Sequence, residues 1–378
     1  MKPITIFRID FDAKRNYGLD ILRALAIFFV LNVHSAYFFK TDSYLFKILT
    51  TLNLDGVSLF FVLSGFLIGG ILIRTYEKKE ITFKTLFNFW IRRWFRTLPN
   101  YFLILTILLF LGFHYKTVSD SFQFKNYYFF LANFKSALPD NLFPESWSLS
   151  IEEWFYLLIP LFIFILIAGY KFKPRVSFLT IAIIILVFST CFRYYRLSHW
   201  PYITGEQIES SFRKQVITRL DSIMYGLIGA YLAFYHLSIW KKYRKPLFFI
   251  GIFILYFNFT QYIFGYFGLI YSLVFSYGLQ ALGFLCLFPY LTELRSGQGF
   301  IYKAITRASI ISYSLYLLNY SIVKLYIIGF LNRTVFKNID QFYLAPVQYF
   351  SFWLITIVGA ILLYKYFEKP FMTLRERI

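Results

Sequence analysis

Long apolar runs separated by short polar stretches are the dominant pattern along the 378 residues of the chain. A helix that spans a bilayer needs about 20 mostly apolar residues. We therefore predict an all-α fold, a polytopic integral membrane protein with about ten transmembrane helices. They are expected at residues 18–38, 57–74, 98–115, 150–169, 176–192, 218–237, 246–261, 264–290, 309–331 and 346–366. We expect one transmembrane domain over residues 1–378, with no appended soluble domain.

The composition supports a membrane protein and excludes most other classes. Apolar residues make up 58% of the chain and charged residues only 15%, against about 25% charged in an ordinary soluble domain. The net charge is +20, but the positive residues cluster between the apolar runs, as in a polytopic membrane protein. The sequence therefore predicts contact with membrane lipid and no binding of nucleic acid.

The distribution of positive residues predicts the orientation. With a cytoplasmic N-terminus, the inner segments carry roughly twice as many Lys and Arg residues as the outer segments, which is the bias of multi-pass proteins. Adding or removing one span would invert every later segment and abolish this bias. We therefore predict that both termini are cytoplasmic.

Three ionisable side chains lie in the first predicted span: Asp20, Arg23 and His34. Inside a membrane each costs roughly 2.5–3.5 kcal/mol on insertion scales. Arg23 and His34 are eleven residues apart, which at about 100° per residue places them on one helix face, about 16 Å apart. Arg23 is either an interfacial anchor paired with Asp20 or part of a site. His34 is either hydrogen-bonded to the backbone or a general base.

Two adjacent acids, Glu152 and Glu153, begin the fourth predicted span. Acids in the first turn of a helix are stabilised by the helix dipole, which explains them without any chemistry. The predicted topology also brings them into the bundle from the side that His34 approaches. A carboxylate beside a histidine can orient it and raise its basicity. The residues alone leave both interpretations open.

Clusters of arginine occur on both predicted sides. Arg92, Arg93 and Arg96 lie among aromatic residues on the inner side, which is typical of an anchor to anionic lipid but also suits phosphate binding. Five positive residues on the outer side indicate either an anionic acceptor or charges offset by nearby acids: Arg193, Arg196, Arg213, Lys214 and Arg219. No spacing of His, Cys and acids predicts a metal site.

These features occur in an order that resembles acyltransferase family 3, integral membrane acyltransferases that mostly modify carbohydrates. Leu19, Asp20, Leu22, Arg23 and His34 match the family's first-span motif, including its Arg-x10-His spacing. Later blocks are similar to the family's at 56–69 (GVSLFFVLSGFLIG), 92–96 (RRWFR), 147–160 (WSLSIEEWFYLLIP), 219–226 (RLDSIMYG), 311–319 (ISYSLYLLN) and 366–371 (YFEKPF). Each block is weak alone, but the ordered set is specific.

The resemblance implies an acyl-CoA-dependent O-acyltransferase of a bacterial inner membrane. The donor would be a cytoplasmic acyl-CoA, expected as acetyl-CoA, with no metal. Its phosphates would meet Arg93 and Arg96, with Arg92 as a third candidate. Arg23 would lie along the path by which the donor enters.

The resemblance also implies how the acceptor would react. A hydroxyl of a cell-surface or lipid-linked glycan would enter from the outer side past Glu152. His34 would take its proton as general base, and Glu152 would orient either His34 or the acceptor. Direct transfer and a route through an acylated side chain both stay open.

The chain departs from the family pattern at two positions. Ser58 stands where relatives often have an acid in the second span, and Asn319 stands where a histidine is common. Any role of these groups in binding or orienting a substrate would be weakened or altered.

Two other functions remain open from the sequence. One is acyl transfer to a small molecule that is not a glycan. The other is transport of a glycan or lipid without chemistry, although the chain shows no inverted repeat of the kind that carriers often have. A carrier would tolerate replacement of His34 by Gln, whereas a transferase that depends on this base would not.

Overall fold

The computed structural model describes residues 9–11, 15–51, 53–78, 81–115, 124–134, 142–200, 204–265 and 267–374, with side chains for all of these except 262–264. Within these ranges the protein is helical and has no strand. Ten helices follow the predicted spans in order: α1 (Tyr17–Ala36), α2 (Gly56–Lys78), α3 (Phe83–His114), α4 (Ser146–Phe164), α5 (Pro174–His199), α6 (Val216–Tyr235), α7 (Arg244–Phe264), α8 (Ser276–Leu291), α9 (Ser312–Leu318) and α10 (Gln341–Leu363).

Several of these helices are extended or preceded by π-helix, in which hydrogen bonds join residues five apart. The π-helical segments are Ile165–Gly169, Ile208–Arg213, Tyr271–Phe275, Asn319–Ile328 and Tyr364–Glu368. Shorter connecting helices are Tyr44–Thr51, Lys125–Tyr128, Gly205–Gln207, Leu237–Lys242, Gly268–Ile270, Gly299–Ile310, Gly329–Thr334 and Lys369–Leu374, with a 3₁₀ turn at Phe336–Asn338.

The all-α, polytopic fold class is confirmed. In the described parts of the chain, nine helical stretches are long and apolar enough to cross a membrane. The predicted seventh span, 246–261, is helical within α7, but α7 is not one of those nine. The positions of the two termini relative to a membrane stay a prediction.

Helix α3 begins earlier than the apolar run that predicted it. The span was expected at 98–115, yet α3 starts at Phe83 and continues through Pro99. Thr82 caps the start, because its hydroxyl accepts a hydrogen bond from the backbone N–H of Thr85 at 3.3 Å. The additional turns contain Arg92, Arg93 and Arg96. Because these residues are polar, a prediction based on hydropathy does not include the turns.

Helices α2 and α6 pack with their backbones in contact. A Cβ atom on Gly65 would lie 2.0 Å from the carbonyl oxygen of Ile223, and one on Gly226 would lie 2.0 Å from that of Val62. Small residues at such crossings let helices approach closely in a membrane. This contact fixes the two helices that frame the central part of the bundle.

A fully buried ion pair joins α5 to α6. Arg193 Nη2 lies 2.7 Å from Asp221 Oδ2, and neither side chain is more than 1% exposed. Arg193 also donates to the backbone carbonyls of Val274, at 3.0 Å, and Thr218. These partners give Arg193 a structural role and remove it from the candidate outer binding residues.

We expect Gly226→Ala to destabilise the protein by about 1–3 kcal/mol, because the added Cβ forces apart two backbones in contact. The apparent Tm in detergent micelles checks this. Gly169→Ala is the matched control, since no atom lies within 4 Å of the Cβ it would add. Equal Tm values for the two variants would contradict the packing described here.

We expect Asp221→Asn to cost about 3–5 kcal/mol, because it leaves the buried Arg193 guanidinium without a counter-charge. The double variant Arg193→Met with Asp221→Leu removes both charges and should be more stable than Asp221→Asn alone. Thermal unfolding of the three proteins in one detergent measures both effects. A double variant no more stable than the single one would argue against charge burial as the cause.

Candidate active site

A central cavity of about 110 Å³ lies between α1, α2, α3, α4 and α9. Its polar lining includes three arginines from two helices, one carboxylate and several hydroxyl groups. The residues that line it are Arg23, Val57, Phe60, Phe61, Leu63, Ser64, Leu67, Ile68, Arg93, Arg96, Thr97, Ser148, Leu149, Glu152, Tyr156, Ser312, Tyr313 and Tyr316. The cavity therefore gathers most of the site residues predicted from sequence.

The predicted arginines divide into two groups. Arg93 and Arg96 are three residues apart on α3 and both line the cavity, because positions i and i+3 share a helix face. Arg92 is exposed and does not line it. Arg96 makes no side-chain hydrogen bond or ion pair with any described residue. The structure thus brings Arg93 and Arg96 together and leaves Arg92 outside.

Arg23 reaches the cavity from α1 while one of its nitrogens contacts a buried polar cluster. Its Nη1 donates to Ser309 Oγ at 3.1 Å and lies 3.6 Å from Asp20 Oδ1. The Asp20 carboxylate also accepts from Arg15 Nε at 3.0 Å and from Ser309 Oγ at 2.6 Å. Because Arg15 and Ser309 already satisfy Asp20, Arg23 keeps much of its positive charge available to the cavity.

Glu152 and Glu153 point to different partners. Glu152 lines the cavity, where Oε1 accepts from Ser64 Oγ at 2.5 Å and Oε2 accepts from the Tyr156 hydroxyl at 3.3 Å. Glu153 accepts from Thr97 Oγ1 at 2.7 Å and is not among the lining residues. Glu152 is thus the acid that shares a space with Arg23, Arg93 and Arg96. No hydrogen bond joins it to His34.

His34 lies near the C-terminal end of α1, beyond the central cavity. Its Nδ1 is 2.5 Å from Asn319 Oδ1, and its ring centroid is 4.7 Å from that of Tyr320. Asn319 Nδ2 donates to the carbonyls of Leu315, at 3.2 Å, and Tyr316, at 2.7 Å. Since the amide nitrogen is committed to these carbonyls, the amide oxygen faces His34 and requires a proton on Nδ1. The lone pair of the ring is therefore on Nε2.

A π-helical segment explains why two residues of one helix reach His34. Lys324 Nζ donates to the backbone carbonyl of His34 at 2.7 Å, and Lys324 is five residues after Asn319. In an α-helix, residues five apart point about 140° away from each other. In the π-helix Asn319–Ile328, hydrogen bonds join residues five apart, so both side chains lie on one face.

Tyr316 and Glu145 link the cavity to the π-helical segment that contacts His34. The Tyr316 hydroxyl lies 2.6 Å from Ser148 Oγ and donates to the backbone carbonyl of Glu145 at 3.0 Å. The Glu145 carboxylate accepts from Ser321, from N at 3.1 Å and from Oγ at 2.6 Å. Burial raises the pKa of the Glu145 carboxyl to about 7, although the bonds from Ser321 oppose that rise.

Sequence reasoning missed Glu145 and Tyr316. Glu145 lies two residues before the family-like block at 147–160, and Tyr316 lies within the block at 311–319, but neither occupies a position with unusual spacing or charge inside a predicted span. Only the hydrogen bonds of the Tyr316 hydroxyl to Ser148 and to the Glu145 carbonyl bring them together.

The two departures from the family pattern both have partners. Ser58 Oγ donates to Asp55 Oδ2 at 2.7 Å and accepts from Arg219 Nη2 at 2.6 Å. Asp55, three residues earlier, supplies a carboxylate near the position where Ser58 has none. Asn319 forms the bond to His34 described above. Neither departure leaves its site without a polar group.

Within the parts of the chain that the structure describes, no group of three or more His, Cys, Asp or Glu side chains could hold a metal ion. The polar lining of the cavity is instead dominated by guanidinium and hydroxyl groups, which suit an anionic organic ligand.

Comparison with known proteins gives one family and several relatives. The relatives include the peptidoglycan O-acetyltransferase OatA of Listeria monocytogenes, 32% identical over 168 residues that cover 41% of this chain and 25% of that protein. They also include the O-acetyltransferase OatA of Staphylococcus aureus, 27% identical over 235 residues that cover 57% of this chain and 34% of that protein. The chain thus spans about a third or less of the length of these relatives. No solved structure matches it.

The family comparison covers almost the whole chain. Residues 16–365 match the model of a family described as an acyltransferase domain. The match includes every helix from α1 to α10 and confirms the resemblance carried by the sequence motifs. The chain belongs to acyltransferase family 3.

Proposed function

We propose that the protein is a membrane O-acyltransferase that moves an acetyl group from cytoplasmic acetyl-CoA to a hydroxyl of a cell-envelope glycan, with His34 as general base. Membership of the acyltransferase family supports the reaction class, and the O-acetyltransferase relatives support a glycan acceptor. The donor, the base and the site residues are inferred from the arrangement of side chains.

The observation that carries this proposal is the hydrogen bond between His34 Nδ1 and Asn319 Oδ1. A general base needs an unprotonated nitrogen that faces the reacting hydroxyl. The fixed amide of Asn319 holds the proton on Nδ1 and leaves Nε2 able to accept one. This is the same logic by which a base is oriented by a third group in other acyl transfers. In this protein we assign the role of orienting the base to Asn319 and not to Glu152.

The arginines of the cavity suit the donor. With the N-terminal end of α1 in the cytoplasm, Arg23, Arg93 and Arg96 would face the phosphates of acyl-CoA, for which arginine's fork is well matched. About 16 Å of helix rise separates Arg23 from His34, a length that an extended pantetheine arm can span. The acyl group would then lie at the Tyr316 end of the cavity, one helical turn from Asn319.

The transfer balances with His34 as the only base. The acceptor O–H gives its proton to His34 Nε2 while its oxygen attacks the thioester carbonyl carbon. A carbon–oxygen bond forms, the carbon–sulfur bond breaks, and the CoA thiolate leaves. The proton on His34 is then released to the thiolate or to water, which restores the base.

Glu152 suits a place along the donor path. Its carboxylate accepts hydrogen bonds from Ser64 and Tyr156. It also interacts electrostatically with the guanidinium groups of Arg96 and Arg23. We propose that it positions these guanidinium groups and limits repulsion between them while no donor is bound. Glu152 would therefore act on the arginines that bind the donor, and not on His34 as the sequence predicted.

We expect His34→Ala to lower acceptor-dependent thiol release from acetyl-CoA by about 10²–10⁴-fold, the usual contribution of a general base. The assay uses purified protein with an extract of cell-envelope glycans. Asn319→Leu should lower the rate about three- to tenfold, because a hydrogen bond is worth about 0.5–1.5 kcal/mol. Asn319→Asp keeps an acceptor oxygen at Nδ1 and should retain more activity than Asn319→Leu.

Equal rates for Asn319→Leu and the wild type would remove Asn319 from the mechanism. Full activity in a folded His34→Ala protein would move the base elsewhere. Absence of both thiol release and CoA binding in the wild type would overturn the acyl-CoA assignment and favour a carrier.

We expect Arg93→Gln and Arg96→Gln to raise the KM for acetyl-CoA about 10–100-fold, because a hydrogen bond to a charged group is worth about 1.5–3 kcal/mol. Arg92→Gln is the matched control and should change KM less than twofold, since Arg92 is exposed outside the cavity. A donor that lacks the nucleotide phosphates, S-acetylpantetheine, should not distinguish the three variants. A large effect of Arg92→Gln alone would contradict the assignment.

A further inference from the structure

The charged side chains that act on the His34 ring are positive. The three charged side chains that act most strongly on its ring are those of Lys324, Arg213 and Lys214. They come from two different parts of the chain, the π-helix after α9 and the segment before α6. The base that would receive the acceptor therefore lies in the electrostatic field of these three cations.

Lys324 has no acidic partner among the described residues. Its ammonium donates to the His34 carbonyl at 2.7 Å and lies 5.3 Å from the ring centroids of Tyr37 and Tyr320. A backbone carbonyl and aromatic faces hold the ammonium in position without neutralising it. Lys324 thus presents a net positive charge beside the base.

The second group of cations also exceeds its acids. Arg213 lies 3.0 Å from Glu209 and 3.7 Å from Asp55, Lys214 lies 3.3 Å from Glu209, and Arg219 lies 3.8 Å from Asp55. Three cations therefore share two carboxylates in the described parts of the chain. With Lys324 there are four cations and, counting the Glu145 carboxylate bound to Ser321, three carboxylates.

Glu209 and Arg213 stay ionised near neutral pH. Burial raises the pKa of the Glu209 carboxyl, but the charges of Arg213 and Lys214 outweigh burial and hold that pKa below its ordinary value. Burial lowers the pKa of Arg213, but Asp55 and Glu209 outweigh it and raise that pKa above its ordinary value. Neutralisation of Arg213 therefore does not remove the positive excess.

One of the guanidinium groups also has unused donors. Arg219 is fully buried, donates to Ser58 through Nη2, and has no hydrogen-bond partner for Nε and Nη1. Arg213 and Lys214 are partly open instead, with 32% and 30% of their side chains exposed. A ligand can reach Arg213 and Lys214 without entering the core. Arg219 contributes its charge from a buried position.

We propose that Lys324 and Arg213 form a subsite beside His34 for an anionic group, a carboxylate or a phosphate, that the acceptor carries. The inference rests on the proposed function, because it takes His34 as the base that meets the acceptor. Charge-assisted hydrogen bonds to such a group would fix the acceptor relative to Nε2. The cations would also raise the association rate of the acceptor, and added salt would reduce this effect by screening the charges.

Binding without an acyl donor tests the subsite. The full chain in nanodiscs of zwitterionic lipid is titrated with an oligosaccharide of uronic acid units and with the same oligosaccharide after its carboxyls are reduced to alcohols. We expect the acidic form to bind at least tenfold more tightly, with a preference that falls as salt rises. An oligomer of glycerol phosphate, titrated alongside, distinguishes a phosphate ligand from a carboxylate ligand.

Variants identify the residues. Lys324→Met and Arg213→Gln should each reduce the preference for the acidic form about tenfold, and Lys324→Arg should retain it. Glu209→Gln removes an acid and should tighten binding of the acidic form about threefold. Arg333→Gln is the matched control and should change nothing, because the one hydrogen bond that Arg333 makes to a described residue is to the Gly329 carbonyl of its own helix.

Equal binding of the acidic and neutral forms by the wild type would overturn the subsite. Equal loss of both forms in Lys324→Met would overturn it as well, since that pattern indicates a general structural defect. Because the measurement needs no transfer, a charge preference without any thiol release or CoA binding would preserve the subsite and overturn the proposed acyl transfer.

Discussion

The interior of a bilayer offers no water, so every buried polar group of this bundle depends on a partner from the protein itself. The structure meets this constraint in separate clusters along the helices. Asp20 is satisfied by Arg15 and Ser309, and Arg193 is satisfied by Asp221. Arg96 in the cavity and Lys324 beside His34, by contrast, have no acidic partner among the described residues. Cations without an acidic partner therefore mark the groups that we propose are available to a ligand.

Much of the fold follows from hydropathy, because a spanning helix must be apolar over a known length. The first-span residues Arg23 and His34 also follow from helical periodicity. Hydropathy locates the bilayer crossing and not the start of the helix, so it missed the 15 residues of α3 before position 98. The facing direction of Arg93 and Arg96 depended on those turns.

The partner of His34 could not be predicted, because it is 285 residues away along the chain. A shared membrane side suggested Glu152, but nearness along the bilayer normal does not fix lateral position in a bundle. Glu152 lies about two helical turns into α4 and meets Ser64 on α2. Asn319 looked like a weakened position because it replaces a histidine. An amide with both N–H groups committed is, however, a more definite acceptor than an imidazole that can change tautomer.

The π-helix Asn319–Ile328 makes the site depend on helix type as well as on residue type. It places Asn319 and Lys324 on one face only because its turns hold more residues than α-helical turns. If the same residues formed an ordinary α-helix, the two side chains would point about 140° apart. Every amino acid of the site could then be present and the base would still lose one of its two contacts. Among homologous sequences, the register of this segment is consequently as informative as the identity of its residues.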